Sequence, residues 1–412
     1  MRLLGEAAIA RRLEGVAGAE AGRPPRVVVA GNFATPHRLL GLVDRTLASY
    51  RLFALNAQAG MPDRDGVVHE SPFVGPGVRR SARLEYLPAR LSLVPRLFAR
   101  THQPDLVLLH TTPPRAGRVS LGVEVNVLPA AVEQARRRGG LVVAQVNRRM
   151  PWTYGDAELS TDLVDLGLEV DEPLPSPGPL LAGDVHRSIG ARVADLVVDG
   201  ATLQLGIGAV PDATLAGLDG RRGLRIWTEM FSDGVLALER AGALDVDEPL
   251  VASFLFGSPE LYAWVHDNPR VRMLRTEVTN DPGVIARHPA MTSVNGALQV
   301  DLFGQANASW VDGRVYSGFG GQSDFVVGAL HAPDGLAIAA LASWHPKAGR
   351  STIVASLDGP ATSFQHSFVV TEQGAAAVWP GAIRDQTRHL IDVAHPDARA
   401  GLEQAARTRG LL

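Results

Sequence analysis

Short apolar runs alternate with helical patterns through the first part of the chain. RVVVAGNFATP predicts a buried strand that ends in a turn, and HRLLGLVDRTLASY after it has apolar residues at helical spacing. Further strands are predicted at RLFALNA, DLVLLHTTPP and GLVVAQVNRRMP, with a helix at PAAVEQARRRG. Strands that alternate with helices pair in parallel through helical crossovers, so this part is predicted to be an α/β domain with a parallel sheet.

A proline-rich segment, PLPSPGP, follows between Glu172 and Leu180. Its prolines keep the backbone extended and lack the amide donors that a helix or a central strand needs. We therefore predict two domains, an N-terminal α/β domain of residues 1–180 and a C-terminal α/β domain of residues 181–412.

The second half repeats the alternation. Strands are predicted at ATLQLGIGA, LRIWTEM, LVASFLFG, VRMLRTE, GLAIAALAS, STIVASL and HSFVVTE, and the chain ends in a helix at GLEQAARTRG. Other helices are predicted to begin at Pro211, Ser232 and Ser258. The Asp-Gly pair in SWVDGRVYSG is typical of a tight hairpin, which predicts a mixed sheet in this half.

Composition narrows the function classes. The 412 residues are 46% hydrophobic and 20% charged, as in globular proteins, and 40 basic against 43 acidic residues give a net charge of -3. No basic field is present to hold a nucleic acid. The absence of cysteine excludes a thiol nucleophile and thiolate metal sites. No run of about 18 apolar residues and no export signal are found, so we expect a cytoplasmic protein without a membrane span.

Three segments carry residues suited to chemistry. The first, LQLGIGAVPDATLAGL, places Gly206, Ile207, Gly208 and Ala209 at a turn between a strand and a helix, where backbone amides approach an anion or a carbonyl oxygen closely. Two alternatives stay open at this point. The glycines serve tight strand–helix packing, or they belong to a dinucleotide fingerprint, which lacks its third glycine here.

The second segment, WTEMFSDG, places Glu229 at the carboxyl end of an otherwise apolar strand. Open parallel sheets hold their ligands at that edge, and the neighbouring Trp227 and Phe231 would shield a carboxylate from water and strengthen it as a nucleophile. The alternative is that Glu229 caps the next helix or pairs with an arginine.

The third segment, YSGFGGQSDFVVGA, has three glycines, Gly318, Gly320 and Gly321, between a strand and a helix. Such a loop turns main-chain N–H groups inward, where they stabilise a developing oxyanion. The alternative is a plain turn with Asp324 near the helix start. The histidines show no metal-ligand spacing and no GxSxG elbow occurs, which leaves an acid as the best nucleophile.

In this order the segments resemble the acetyl-CoA hydrolase/CoA-transferase family, and within it the 4-hydroxybutyrate CoA-transferase-like branch. Matching stretches include TTPPRAGRVSLG, AQVNRRMPWTYGD, NDPGVIARHP and SVNGALQVDLFGQ, and EMFSDG is followed about 90 residues later by SGFGGQSDF. That order argues against a dinucleotide site. The resemblance implies two open, mostly parallel α/β domains of the CoA-transferase type with the active site between them.

The resemblance also implies the chemistry. Glu229 matches the catalytic glutamate, which exchanges CoA between an acyl-CoA, such as acetyl-CoA, and a small carboxylic acid through a glutamyl-CoA thioester. CoA is then a substrate, and no permanently bound cofactor or metal is expected. Gly320 and Gly321 match the oxyanion loop. The positions matching the substrate and CoA pocket are Gly206, Ile207, Gly208, Ala209, Asn280, Gly318 and Gln322.

Two other functions are compatible with the same residues: an acyl-CoA hydrolase that uses the same glutamate, and a CoA-binding protein without activity. The family also implies a homodimer. The chain departs from the family at Arg115 and Ala116, at VWPG and at ASWHPKAGRS. These departures leave the acyl donor and the acceptor acid open.

Overall fold

The computed structural model describes residues 1–18, 22–177, 183–359, 361 and 365–412. Within them the helices are α1 (Glu6–Leu13), α2 (His37–Thr46), α3 (Val94–Arg100), α4 (Leu128–Arg137), α5 (Asp184–Leu196), α6 (Ala209–Ala216), α7 (Asp233–Arg240), α8 (Pro259–Val265), α9 (Thr276–Thr279), α10 (Pro282–Ile285), α11 (Gln322–His331), α12 (Ile383–Asp392) and α13 (Pro396–Thr408).

The strands of the same residues, in chain order, are β1 (Arg2–Leu3), β2 (Arg26–Val29), β3 (Tyr50–Ala54), β4 (Val67–Ser71), β5 (Leu84–Tyr86), β6 (Leu106–Thr111), β7 (Arg118–Ser120), β8 (Leu141–Asn147), β9 (Tyr154–Gly155), β10 (Glu158–Ser160), β11 (Leu166–Val170), β12 (Thr202–Leu205), β13 (Arg225–Trp227), β14 (Met230–Phe231), β15 (Leu250–Ala252), β16 (Phe254–Leu255), β17 (Val271–Met273), β18 (Thr292–Gly296), β19 (Gln299–Asp301), β20 (Ala306–Asn307), β21 (Trp310–Val311), β22 (Arg314–Val315), β23 (Leu336–Ala340), β24 (Trp344–His345), β25 (Arg350–Ser351), β26 (Ile353–Val354), β27 (Phe368–Thr371) and β28 (Gly374–Ala377).

The chain divides into two compact units. The first comprises Met1–Pro177 and Val251–Thr279, and the second comprises Gly178–Leu250 and Asn280–Leu412. The predicted boundary between residues 180 and 181 lies outside the described residues. Contacts assign Val251–Thr279 to the first unit, although that segment lies in the second half of the sequence.

The first unit contains an eight-stranded sheet in the order β1-β11-β8-β6-β2-β3-β4-β5. Every neighbouring pair in it is parallel. Its central strands are buried on both faces, because Val27, Val28, Leu106 and Leu108 have no exposed surface. The continuous apolar runs in the sequence are therefore explained by strands that are buried on both faces of the sheet, as predicted.

In the second unit, six strands follow one another in the order β28-β27-β23-β18-β12-β13. All neighbours are parallel except β27 and β28, which are antiparallel. Helix α11 packs onto this sheet, with Phe325, Val326 and Ala329 in one buried cluster with Ala337 of β23. The predicted fold class, an α/β protein with mostly parallel sheets, is confirmed.

Two local predictions need correction. The Asp-Gly hairpin forms as β21 and β22, with positive φ at Asp312 and Gly313, but it is a separate two-stranded sheet. The mixed character of the main sheet comes from β28 instead. Helix α6 begins at Ala209, two residues before Pro211. A proline is tolerated there because the first turn of a helix has no intrahelical use for its N–H groups.

Candidate active site

Glu229 lies two residues beyond β13, at the carboxyl end of a strand in the sheet of the second unit. The chain bends there around Thr228, whose hydroxyl lies 3.1 Å from the carbonyl oxygen of Leu205 and 2.9 Å from that of Met230. The first contact ties the bend to the end of β12. The side chain of Glu229 is thus fixed at the edge where parallel sheets hold their ligands.

Three of the predicted site residues meet at this carboxylate. The side-chain amide of Asn280 donates a long hydrogen bond of 3.4 Å to Oε2 of Glu229. A Cβ atom added at Gly321 would overlap both that oxygen and Nδ2 of Asn280. Glycine is therefore required at position 321 because the carboxylate occupies the space of a side chain.

The environment of Glu229 changes its acidity. The pKa of Glu229 is raised to about 7, mainly by burial; the Asn280 hydrogen bond lowers that pKa and the negative charge of Asp324 raises it. Asp324 is fully buried in the first turn of α11. A carboxylate that is this poorly solvated is a stronger nucleophile than one in water.

The glycine loop has the backbone that the sequence indicates. Gly318 and Gly320 adopt positive φ angles of 124° and 55°, which residues with a side chain rarely adopt. Two serine hydroxyls hold the start of the loop, since Ser309 donates to the carbonyl of Gly318 at 2.7 Å and Ser317 donates to that of Ala308 at 2.9 Å. The loop leads directly into α11, which begins at Gln322.

Gln322 offers a donor that the protein itself does not use. Its Nε2 atom is buried and has no hydrogen-bond partner among the described residues. Buried polar atoms are nearly always paired, so such a donor at the edge of a site favours a ligand as its partner.

The turn of Gly206, Ile207, Gly208 and Ala209 joins β12, the neighbour of β13, to α6. Gly208 has a φ of 127°, and a Cβ added at Gly206 would meet nothing within 4 Å. Open space therefore lies above Gly206. Ile207 differs from the rest of the predicted set, because its side chain is exposed.

Sequence reasoning missed a polar network beside this turn. Ser293 donates to Oε1 of Gln204 at 2.7 Å, and Nδ2 of Asn295 lies 2.8 Å from Oγ of Ser293 and 3.1 Å from Oε1 of Gln204. The signal was present, because Ser293 and Asn295 alternate with apolar residues in SVNGAL and Gln204 interrupts an apolar strand.

Two buried histidines are neutral, and no metal site is present among the described residues. Burial lowers the pKa of both His110 and His366 to about 4, which keeps their rings neutral. Among the described residues, no group of three or more His, Cys, Asp or Glu side chains could hold a metal ion. In the same part of the chain, no helix is long and apolar enough to cross a membrane.

One departure from the family pattern has a structural explanation. Arg115 donates to Asp267 at 2.8 Å, and its guanidinium lies 4.0 Å from the ring centroid of Trp152. These contacts lie within the first unit. Arg115 thus contacts both the exposed Asp267 and the buried Trp152 of that unit.

Comparison with known proteins identifies the family to which this chain is similar. Residues 43–175 match the acetyl-CoA hydrolase/transferase N-terminal domain, and residues 257–406 match the C-terminal domain. The chain is 37% identical to the 4-hydroxybutyrate coenzyme A transferase of Clostridium kluyveri, over 83% of this chain and 82% of the relative. It is 36% identical to the succinyl-CoA:acetate/propanoyl-CoA:succinate CoA transferase of Fasciola hepatica, over 93% and 84%.

A solved structure agrees with these relatives. RipA from Yersinia pestis superposes with a TM-score of 0.90 at 29% identity, over 100% of this chain and 98% of that one. The expected family and the expectation of an enzyme are confirmed, and the alternative of a CoA-binding protein without activity is set aside. The chain belongs to the acetyl-CoA hydrolase/transferase family.

Proposed function

We propose that this protein is a CoA-transferase, which moves CoA between an acyl-CoA, such as acetyl-CoA, and a small carboxylic acid. The observation that carries this proposal is the half-buried carboxylate of Glu229, in contact with Gly321 and Asn280 at the carboxyl end of β13. Relatives named as CoA transferases at 36% and 37% identity support the same reaction.

The reaction proceeds by covalent catalysis on Glu229. An oxygen of its carboxylate attacks the thioester carbonyl, the C–S bond breaks, and CoA leaves as a thiolate from an acyl-glutamyl anhydride. The thiolate then attacks the glutamyl carbonyl of that anhydride. The C–O bond breaks, the first acid is released as a carboxylate, and a glutamyl-CoA thioester remains. A second carboxylate reverses these two steps and leaves as the new acyl-CoA.

Neighbouring groups would stabilise the charge that develops on each carbonyl oxygen. The backbone amides of Gly320 and Gly321 and the side-chain amide of Asn280 are the proposed donors. Gly318 and Gln322, together with the turn from Gly206 to Ala209, are proposed to bind substrate and CoA. CoA acts as a substrate in this scheme, and the protein needs no resident cofactor.

A cavity beside the β21–β22 hairpin supports CoA as the ligand. It has a volume of about 610 Å³, and its lining includes Trp310, Trp344, Lys347 and Arg350. The two cations suit the phosphates of a nucleotide, and the aromatic rings suit a base. Trp310 lies on the hairpin whose chain continues through the glycine loop into α11.

The family also includes hydrolases, which release CoA to water, and a solution assay separates the two reactions. The purified protein is given acetyl-CoA with and without an isotopically labelled carboxylic acid, and labelled acyl-CoA and free CoA are measured. A transferase gives labelled acyl-CoA with ping-pong kinetics. Steady CoA release that no added acid changes, without labelled acyl-CoA, contradicts the transferase and identifies a hydrolase.

The homodimer and the cytoplasmic location stay predictions.

A further inference from the structure

Ser232 makes an unusual contact at the start of α7. It is the N-cap residue of that helix, where a serine hydroxyl commonly accepts a hydrogen bond from a backbone N–H of the first turn. Within the described part of the chain, the hydroxyl of Ser232 makes no such bond. It donates instead to Oδ1 of Asp212 in α6 at 3.3 Å. The hydroxyl is therefore used to join two helices and not to cap its own.

This contact connects two segments of the candidate site. Asp212 lies in the first turn of α6, three residues after the glycine turn of Gly206 to Ala209. Ser232 lies three residues after Glu229. The hydrogen bond between them therefore ties the far end of the glycine turn to the chain that follows the carboxylate.

The near end of the glycine turn is held from the other side of Glu229. Thr228 directly precedes Glu229, and its hydroxyl lies 3.1 Å from the carbonyl oxygen of Leu205. Leu205 is the residue directly before Gly206. Hydroxyl groups on both sides of Glu229 thus contact both ends of the turn.

The turn has little packing of its own. A Cβ atom added at Gly206 or Gly208 would meet nothing within 4 Å among the described residues. The side chain of Ile207 is exposed, and the buried residues of α6 are Thr214 and Leu215, beyond its first turn. The contacts at the two ends therefore determine how firmly the turn is held.

Beyond its first turn, α6 is fixed by close packing. A Cβ atom added at Gly190 of α5 would lie 2.6 Å from Ala213, and one added at Gly234 of α7 would lie 2.5 Å from Leu215. Both distances are too short for real carbon atoms, so the two neighbouring helices approach α6 as closely as glycine allows. The body of α6 is thus rigid, and the polar contact extends that rigidity to its first turn.

The charge of Asp212 does not stabilise the fold. The pKa of Asp212 is raised, mainly by burial; the hydrogen bond from Ser232 lowers that pKa and the negative charge of Asp233 raises it. A raised pKa means that the folded protein holds the ionised acid less favourably than the unfolded chain does. An acid at this position is therefore better explained by its contact with Ser232 than by stability.

We propose that Asp212 and Ser232 are positioning residues that hold the glycine turn in register with Glu229 during CoA transfer. This inference rests on the proposed function, in which the turn binds substrate and CoA while the carboxylate attacks the thioester. A displacement of about 1 Å between reacting groups can slow a reaction greatly, so a contact that fixes the turn acts on the rate of attack.

The test is a double-mutant cycle on the full-length enzyme, with acetyl-CoA as donor and the acid that gives the highest wild-type rate as acceptor. Ser232→Ala and Asp212→Ala should each lower kcat about tenfold and change KM for acetyl-CoA by less than about twofold, because alignment is lost and binding is kept. The double variant should lose no more than either single variant, since both remove the same contact. Asp212→Asn keeps an accepting oxygen and should retain most of the wild-type kcat.

A serine that does cap its helix supplies the matched control. Ser258 accepts from the N–H of Leu261 at 3.2 Å at the start of α8. Ser258→Ala should therefore lower the midpoint of urea unfolding and leave kcat unchanged. Ser232→Ala should lower kcat with little change in that midpoint.

Three results would overturn the positioning role and leave the proposed function standing. They are a wild-type kcat in Ser232→Ala or Asp212→Ala, losses that add in the double variant, and a loss in Asp212→Asn as large as that in Asp212→Ala. A wild type that transfers CoA to no acid would overturn the proposed function itself.

Discussion

Two glutamates, one in each unit, show what the surroundings of a carboxylate determine. Glu124 in the first unit is 1% exposed and is surrounded by N–H donors. At distances of 2.9–3.2 Å, its two oxygens accept hydrogen bonds from the backbone of Gly31, Asn32, Phe33 and Ala34 and from the side chains of Asn32 and Asn126. Glu229 in the second unit accepts one bond of 3.4 Å from the described side chains.

The difference separates a structural carboxylate from a reactive one. The donors around Glu124 replace its lost water, so its charge fixes the loop that follows β2. Among the described residues the carboxylate of Glu229 has one long hydrogen bond, from Asn280, and its charge is correspondingly costly. A carboxylate with few hydrogen-bond donors loses little stabilisation when it attacks a substrate and forms a covalent bond.

The largest expected effect is on catalysis. Glu229→Gln keeps the size of the side chain but removes the nucleophilic oxygen, and we expect CoA transfer to fall by on the order of 10⁴. Glu403→Gln on the surface of α13 is the matched control and should retain full activity. Transfer at the wild-type rate in Glu229→Gln would contradict the nucleophile assignment.

Glu124→Gln should instead act on stability. The new NH₂ group would face backbone N–H donors, so we expect the free energy of unfolding to fall by about 3 kcal/mol, as when one partner of a buried charge network is lost. Urea denaturation of Glu124→Gln and Glu229→Gln measures their free energies of unfolding. Glu403→Gln is the reference, because its expected change in that free energy is near zero. A Glu124→Gln protein as stable as the wild type would show that the donors around Glu124 contribute little.

Gly321→Ala tests the close contact at the site. The added methyl group would displace the carboxylate of Glu229 or the amide of Asn280, and we expect kcat to fall by about 10², as for the loss of one oxyanion donor. Gly381→Ala adds a methyl group in open space and should have no effect. Equal kcat in the two alanine variants would place Gly321 outside the reacting groups.

The Glu229→Gln variant should also be more stable than the wild type at alkaline pH. The folded-state pKa of about 7 lies above the ordinary value of 4.5, so the folded protein holds this proton more tightly than the unfolded chain. Stability from Glu229 is full below pH 4.5 and is lost as pH rises through 7. We expect a gain of roughly 3 kcal/mol at pH 8 and almost none at pH 4, measured by urea denaturation. A gain that is the same at both pH values would rule out the raised pKa.

The raised pKa of Glu229 also predicts the pH profile of the free enzyme. Because only the ionised form of Glu229 attacks, kcat/KM for acetyl-CoA should rise about tenfold per pH unit below 7 and level off above it. The initial rate between pH 5 and 9 measures this profile. A level profile down to pH 5 would indicate that the Glu229 carboxylate is well solvated.

The sequence predicted the central elements because their patterns are local. The run RVVVAGNFATP became β2 and its turn, and Ser258 caps α8 by accepting from the N–H of Leu261 at 3.2 Å. The strand-end position of Glu229 followed from one apolar run and its last polar residue. The resemblance to a family supplied the role of that residue.

The features that the sequence did not show depend on contacts between segments that are far apart in the chain, such as the pairing and register of distant strands. Gln204 and Ser293 are neighbours because β12 pairs with β18, and no local pattern carries that pairing. All but one of the donors around Glu124 come from residues 31–34, a loop 90–93 positions away in the chain. The assignment of Val251–Thr279 to the first unit likewise arises from contacts that a proline-rich segment does not indicate.

The most direct measurement is mass spectrometry of the protein after incubation with acetyl-CoA, followed by peptide mapping. The account predicts one covalent CoA adduct on the peptide that contains Glu229, sensitive to borohydride and absent from Glu229→Gln. Turnover without any adduct, or an adduct on another residue that persists in Glu229→Gln, would contradict it.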